Sequence, residues 1–150
     1  MAILIVEDNA AEAKLTREAL REAGVAGEPF VVSDGEAAMQ FLRNEVGYEN
    51  APRPNFVLLD LNLPRKHGRE VLSEIKRDRT LCGIPVIVIS NSQAVEDIDA
   101  AYQLGGNCYL VKSGDLNEYF SSVNALVELW MRKARLPSGA KNVVEPPPLP

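Results

Sequence analysis

The sequence contains few of the residues on which disulfide scaffolds, zinc sites and nucleic-acid-binding surfaces depend. Its 150 residues include only two cysteines, Cys82 and Cys108, and one histidine, His67. The cysteines lack metal-site spacing and the context of a secreted scaffold, so we expect reduced, mostly buried thiols. No run of basic residues is present and the net charge is −5, which argues against a nucleic-acid partner or an anionic membrane surface.

Long hydrophobic runs are also missing. The apolar start covers only residues 2–6, and acidic residues follow it at once. A run of this length is too short for a signal peptide or a membrane span, so we expect a cytoplasmic protein. Hydrophobic residues make up 46% and charged residues 25% of the chain, which is ordinary for a globular protein, and the length suits one domain.

Four short hydrophobic runs are typical of strands buried on both faces of a parallel sheet. They cover residues 2–6, 56–59, 85–89 and 108–111. An ionised carboxylate would be costly inside a sheet, so the polar residues that follow these runs should emerge at the carboxyl ends of the strands. Open parallel sheets bind their ligands at that edge. The residues in question are Glu7-Asp8, Asp60, Ser90 and Lys112.

Helical patterns separate the predicted strands. Asn9 can cap a first helix that ends near Gly24. A short second strand over residues 28–32 should lie at the sheet edge, because Pro29 lacks a backbone donor. Strands that alternate with helices imply a parallel sheet with right-handed crossovers and helices on both faces. The buried stripe predicted for the first helix consists of Leu15, Ala19, Leu20 and Ala23.

Two later helices carry sequence signals at their starts. Ser33 and Glu36 have the spacing of a capping box, which predicts a helix that ends near Val46. Asp115 and Glu118 have the same spacing ahead of the last helix. The two helices between them are expected to begin at Gly68 and Ala94.

The end of the chain predicts a contact between two copies. The last helix should run to about Ala134, which gives a domain over residues 1–134 and a Pro-rich tail over residues 135–150. Tyr119, Leu126 and Leu129 widen the apolar stripe of this helix to one side, which indicates a homodimer, with the tail as an extended arm. The residues expected to face the sheet are Leu116, Phe120, Val123, Val127 and Trp130.

Acidic groups gathered at one sheet edge require compensation. Two carboxylates about 4 Å apart repel by several kcal/mol at a surface dielectric, which leaves a raised pKa, a bound cation, or both. Oxygen ligands suit Mg²⁺, while Lys112 and Ser90 offer a fixed positive charge and a hydroxyl donor. This set matches phosphoryl transfer onto a carboxylate, with Asp60 as nucleophile and Glu7, Asp8 and Asp60 as metal ligands.

These residues, in this order on four predicted strands, resemble the receiver domain of two-component response regulators. The resemblance covers residues 2–134. Residues 48–55 and 107–110, with the Pro-rich end, are similar to the phytochrome-linked response regulators in particular. It implies a flavodoxin-like α/β receiver fold, a doubly wound sheet of five parallel strands in the order 2-1-3-4-5 with helices on both faces.

The resemblance also implies a role for each matching residue. Asp60 would be the phospho-acceptor of a single-domain regulator. A sensor histidine kinase of the phytochrome type would phosphorylate it. Such a protein would switch protein–protein contacts, and it would assist its own phosphorylation and dephosphorylation without being an enzyme in its own right. The Mg²⁺ ligands implied are Glu7, Asp8, Asp60 and, through its backbone carbonyl, Asn62.

The phosphoryl contacts and the switch follow from the same resemblance. Ser90 and Lys112 would contact the phosphoryl group, and Tyr109, three residues before the lysine, would be the aromatic switch partner of Ser90. Family members usually have proline after the lysine, often with a cis peptide, whereas Ser113 stands here. A cis bond before serine would cost about 2.5–4 kcal/mol, so this departure concerns the loop geometry and not Lys112.

Other interpretations use parts of the same pattern. A hydrolase of the haloacid-dehalogenase type also has an Asp nucleophile and Mg²⁺, but its D-x-D motif follows the first strand. A flavodoxin-like cofactor binder would meet repulsion between its phosphate and Glu7-Asp8. A phosphorylation-independent scaffold leaves the retained site groups unexplained. For single residues, Asp60 could be a turn residue, Glu7-Asp8 a helix N-terminal acid pair, and His67 an exposed loop residue.

Overall fold

The computed structural model describes residues 1–112, 114–137 and 148. Its five strands are β1 (Ile3–Val6), β2 (Phe30–Val32), β3 (Phe56–Asp60), β4 (Val86–Ser90) and β5 (Cys108–Val111). They form one parallel sheet in the order β2-β1-β3-β4-β5. The predicted doubly wound α/β fold and its strand order are therefore confirmed, as is the edge position of β2.

Four helices connect the strands of the described chain, and a fifth follows β5. They are α1 (Ala10–Glu22), α2 (Gly35–Leu42), α3 (Gly68–Arg77), α4 (Val95–Gln103) and α5 (Leu116–Val127), and α5 continues into a π-helix (Glu128–Lys133). The core residues of α2, α3 and α4 belong to one hydrophobic cluster and those of α1 and α5 to another. The sheet is thus covered on both faces, as predicted.

The central strands supply both clusters because successive side chains of a strand point to opposite faces. Leu59 and Val57 of β3 pack with α2 and α3, while Leu58 and Phe56 pack with α1 and α5. All residues of β1, β3 and β4 are buried. Full burial of one aliphatic side chain stabilises the fold by about 1.5–3 kcal/mol, so the sheet core is a rigid support for the residues at its edge.

The buried face of α1 differs from the prediction at one position. Asn9 caps the helix, and its Oδ1 accepts the N–H groups of Ala11 and Glu12 at 3.0 Å each. The expected burial of Leu15 is wrong, since this side chain is only half-buried. Thr16 takes the inward position, where its hydroxyl hydrogen-bonds the Tyr119 hydroxyl at 2.7 Å. That pairing removes the usual penalty for burying a hydroxyl.

The boundaries of α2 also differ. The capping residue is Asp34 and not Ser33, because the Oδ1 atom of Asp34 accepts the N–H of Ala37 at 2.7 Å. The helix ends at Leu42 and does not reach Val46, which is 89% exposed. Asn44 ends it by adopting a left-handed conformation with φ of 52°. Its side-chain amide then donates to two carbonyls of the following loop.

The last helix is rotated relative to the prediction. Tyr119 and Leu126, expected on a surface flank, are buried in the core with Val123 and Val127. Leu116, expected to cover the sheet, is 52% exposed. The reason is the Thr16–Tyr119 hydroxyl pair, which draws the tyrosine side of the helix against α1. Of the expected flank only Leu129 remains exposed, while Phe120 and Trp130 are half-buried.

The described residues bear on two further predictions, and a third falls outside them. Both cysteines are free thiols, and each is only partly exposed, which agrees with the prediction of mostly buried thiols. None of the helices in the described ranges has the length and apolar character needed to cross a membrane. The predicted arm and the peptide bond before Ser113 fall on residues 138–147, 149–150 and 113, which lie outside the described part.

Candidate functional site

The register of the sheet brings the predicted polar residues to one edge. Leu59 of β3 pairs with Val6, so Asp60 lies beside Glu7, the residue that follows β1. Asp60 pairs with Ile89 of β4, and Ser90 is the next residue of that strand. Lys112 follows β5, and its backbone N–H donates to the carbonyl of Ser90 at 2.7 Å. Asp60 therefore stands between an acidic side at β1 and a hydroxyl and ammonium side at β4 and β5.

Three carboxylates form the acidic part of the site. One oxygen each of Glu7, Asp8 and Asp60 can be chosen so that all three lie within 4.8 Å of one another. Glu7 and Asp60 are only 5% and 7% exposed, whereas Asp8 is exposed to solvent. Oxygen ligands in a partly open position, one of them in contact with water, are what Mg²⁺ and similar divalent cations take in proteins. The donor set therefore fits a divalent metal.

A single ammonium group faces these carboxylates. The Nζ atom of Lys112 donates to Glu7 Oε1 at 2.6 Å, to Glu12 Oε2 at 2.7 Å and to Asp60 Oδ2 at 3.0 Å. Burial lowers the pKa of Lys112, but its hydrogen bonds to Glu12, Glu7 and Asp60 outweigh burial and hold the pKa above its ordinary value. The lysine therefore stays charged throughout the physiological range.

The Glu7 carboxylate is in an unfavourable electrostatic environment. Burial raises the pKa of the Glu7 carboxyl well above its ordinary value, the hydrogen bond from Lys112 opposes this shift, and the neighbouring Asp60 adds to it. Burial is the largest cause, and the negative charge of Asp60 adds to it. A bound divalent cation would oppose this shift, because it would take the place of a proton on the carboxylates.

The Asp60 carboxylate is held at both oxygens. Its Oδ1 accepts the backbone N–H of Asn62 at 2.9 Å, while Oδ2 accepts the Lys112 ammonium. The loop behind it is tight, because the N–H of Gly68 donates to the carbonyl of Leu61 at 3.0 Å. A Cβ at Gly68 would come within 2.5 Å of the carbonyl oxygen of Asp60, so only glycine allows this approach. The acceptor strand and the start of α3 are thus fixed to each other.

Ser90 and Tyr109 are linked through one residue of the following loop. Ser90 is buried, and its Oγ accepts the backbone N–H of Ser92 at 3.1 Å. The half-buried Tyr109 donates its hydroxyl to the carbonyl of Ser92 at 2.9 Å. Ser92 in turn donates its own hydroxyl to Asp97 of α4 at 2.5 Å. A displacement of Ser90 would therefore reach both Tyr109 and α4.

Two residues of the site, Ser92 and Glu12, are absent from the sequence prediction, and His67 forms a helix cap. Ser92 carries no local signal, since serine is common in loops. Glu12 could have been found, because it lies in the first turn of a helix that starts at the acidic edge. His67 is exposed and its Nδ1 accepts the N–H of Arg69 at 3.1 Å, so it caps α3.

A carboxylate cluster and a buried lysine at the carboxyl edge of a 2-1-3-4-5 sheet define the receiver class. The chain belongs to the response regulator receiver domain family, whose model matches residues 3–124. It is a switch-type regulator of a two-component system, which confirms the prediction made from the four strand ends. The match covers β1 to most of α5 and leaves the predicted boundary at residue 134 as a prediction.

Particular relatives resemble the chain over most of its length. It is 46% identical over 136 residues to the response regulator Rcp1 of Synechocystis sp., an alignment that covers 91% of this chain and 92% of Rcp1. The crystal structure of the phosphorylated cyanobacterial phytochrome response regulator RcpA matches with a TM-score of 0.87 at 50% identity, over 91% of this chain and 98% of that one. The Mn²⁺-bound form of Rcp1 matches with a TM-score of 0.86 at 45% identity, over 91% and 99%.

Proposed function

We propose that Asp60 accepts a phosphoryl group from a phosphorylated histidine of a sensor histidine kinase, in the presence of Mg²⁺. The observation that carries this proposal is the position of Asp60 between the two halves of the site. The strand that leads to Glu7 and Asp8 lies on one side of β3, the strands that lead to Ser90 and Lys112 lie on the other, and the Lys112 ammonium contacts both Glu7 and Asp60. A phosphoryl acceptor needs this placement, because the groups that neutralise the charge on the phosphoryl oxygens must surround the acceptor.

The chemistry follows from this placement. An oxygen of Asp60 forms a bond to phosphorus while the bond from phosphorus to the imidazole nitrogen of the kinase breaks and leaves its electron pair on that nitrogen. Ser90 and Lys112 would bind the phosphoryl oxygens. Glu7, Asp8, Asp60 and the carbonyl of Asn62 would hold Mg²⁺, which would neutralise part of the phosphoryl charge. Because these groups lie on the chain itself, it would assist its own phosphorylation and dephosphorylation.

Intact-mass spectrometry tests the acceptor directly. With a small-molecule phosphodonor and Mg²⁺, the wild type should gain the mass of one phosphoryl group and lose it in hydroxylamine, because an acyl phosphate is labile. Asp60→Asn should gain none, whereas Asp99→Asn, the same change at an exposed position of α4, should behave like the wild type. A gain that persists in Asp60→Asn, or that forms equally well in excess chelator, would contradict the proposal.

The proposed partner is a kinase of the phytochrome type, and the proposed output is protein contact. The similarity to RcpA, a phosphorylated cyanobacterial phytochrome response regulator, supports this choice of kinase. The net charge of −5 supports protein partners over nucleic acid or an anionic membrane surface. We also propose that the protein acts in the cytoplasm, where such kinases present their phosphorylated histidines.

A homodimer through the last helix and the tail also remains part of the proposal, on a revised surface. Leu116 and Leu129 are 52% and 55% exposed and Phe120 is half-buried, so α5 and the π-helix offer apolar area beyond the core. We expect sedimentation at micromolar concentration to show a dimer for the full chain and a monomer for a chain that ends at Arg135. Monomers in both cases would contradict the dimer, and dimers in both would contradict the role of the tail.

A further inference from the structure

Glu12 contacts the site lysine but is not among the residues assigned above. It lies in the first turn of α1, and its Oε2 accepts a hydrogen bond from Lys112 Nζ at 2.7 Å. An ammonium group has three N–H donors. Those of Lys112 are taken up by Glu12, Glu7 and Asp60. Lys112 therefore has no donor left for a phosphoryl oxygen unless it gives up one of these partners.

We infer that Glu12 restrains Lys112 in the unphosphorylated protein and opposes phosphorylation of Asp60. This inference rests on the proposed function of Asp60. Of the three partners, Glu12 is the one that lies outside the metal-binding cluster. Its side chain is 37% exposed, against 5% for Glu7 and 8% for Asp60. Water can solvate a released Glu12 carboxylate, so its bond to Lys112 is the easiest of the three to break.

A cavity beside Lys112 gives the released carboxylate room. Its volume is about 80 Å³, and its polar lining includes Glu12, Thr16, Asn91 and Tyr119. A cavity of this size has room for water, since one water needs only about 10–15 Å³ of such volume, and these polar groups can hydrogen-bond it. The Thr16–Tyr119 hydroxyl bond links α1 and α5 beside the cavity. The cavity therefore offers the Glu12 carboxylate a space that water can enter when it leaves Lys112.

Two electrostatic effects of Glu12 act in the same direction. In the unphosphorylated protein its negative charge attracts Lys112 and thereby stabilises that state. In the phosphorylated protein the same charge repels the phosphoryl group, which adds up to about two negative charges at Asp60. Removal of the charge should therefore favour phosphorylation by about fivefold, which corresponds to about 1 kcal/mol for a partly exposed pair.

The test compares Glu12→Gln with the wild type and with Glu22→Gln. Glutamine keeps the shape of the side chain and removes the charge. Glu22 is an exposed residue of the same helix, about 15 Å further along its axis, so it controls for net charge. With acetyl phosphate and Mg²⁺, intact mass should show a phosphorylation rate about fivefold higher for Glu12→Gln and unchanged for Glu22→Gln. The difference should shrink at high ionic strength, because added salt screens it.

The outcomes separate this inference from the proposed function. A wild type that never gains a phosphoryl group on Asp60 would overturn both. A wild type that is phosphorylated, together with a Glu12→Gln variant that reacts at the same rate or more slowly, would overturn the inference and leave the proposed function intact. If Glu12 had only a structural role, Glu12→Gln would change the melting temperature, and any difference in phosphorylation rate would not depend on salt. A difference in phosphorylation rate that is insensitive to salt would therefore also overturn the inference.

Discussion

Replacement of Lys112 by methionine should lower the free energy of unfolding by about 3 kcal/mol in solution without divalent metal. The lysine is buried, with 10% of its side chain exposed, and its ammonium is the partner of two buried carboxylates, Glu7 and Asp60. Loss of one member of a buried ion pair is strongly destabilising, because the charge that remains is buried without compensation. Methionine keeps the unbranched stem of the side chain and lacks only the terminal ammonium position, so the effect reports mainly the charge.

Two further observations belong to the same experiment, which is denaturant unfolding followed by circular dichroism. Saturating Mg²⁺ should stabilise Lys112→Met more than it stabilises the wild type, because the cation takes over part of the role of the ammonium. Burial raises the pKa of Glu7, so Glu7 holds its proton more tightly in the folded protein than in the unfolded chain. The loss should therefore be smallest at acidic pH and grow as the pH rises through that raised pKa.

Lys14→Met is the matched control for this prediction. Lys14 is an exposed residue of α1, and the same substitution there should change the free energy of unfolding by less than about 0.5 kcal/mol. Equal stability of Lys112→Met and the wild type in metal-free solution would show that the ammonium does not compensate the buried carboxylates. An identical gain from Mg²⁺ in both proteins would show that lysine and metal act independently.

The arrangement of the site was predictable because the sheet is buried on both faces. Strands such as β3 and β4 are continuous apolar runs, so Asp60 and Ser90 can only be tolerated where those runs end. Parallel strands place their carboxyl ends at one edge, and the right-handed crossover fixes which strands are neighbours. The position of the acceptor between acidic and basic halves follows from these two constraints together.

The faces of the outer helices were less predictable, because distant polar pairs decide them. Thr16 and Tyr119 are 103 residues apart, and their hydroxyl bond turns the tyrosine side of α5 toward α1. An apolar-stripe argument counts Leu116 and Leu15 as core residues and cannot foresee a buried hydroxyl pair. The cap of α2 failed for a local reason, since Asp34 and Ser33 are adjacent and both are good capping residues.

Replacement of Tyr109 by alanine should leave Asp60 open to phosphorylation but abolish most of the structural change that follows it. Ser90 and Tyr109 both bind Ser92 in the unphosphorylated protein, Ser90 through its Oγ and Tyr109 through its hydroxyl. When Ser90 turns to the phosphoryl group, it gives up its bond to Ser92, and the tyrosine ring can move into the vacated space. Without the ring, only the loss of the Ser90–Ser92 bond links this movement to the loop that leads into α4, and nothing fills the vacated space.

The fraction of the structural change that Tyr109→Ala loses depends on how much the tyrosine ring contributes to the switch. A full swing from 1:99 to 99:1 takes about 5.5 kcal/mol, whereas one hydroxyl bond contributes only about 1 kcal/mol. Tyr109→Phe, which keeps the ring, should therefore retain most of the response, and Tyr109→Ala should lose most of it. Backbone amide chemical shifts of Ser92 and of α4, recorded with and without phosphodonor, measure the response, and intact mass confirms phosphorylation of each variant. A Tyr109→Ala protein that is phosphorylated and shows the wild-type set of shift changes would exclude the tyrosine from the switch.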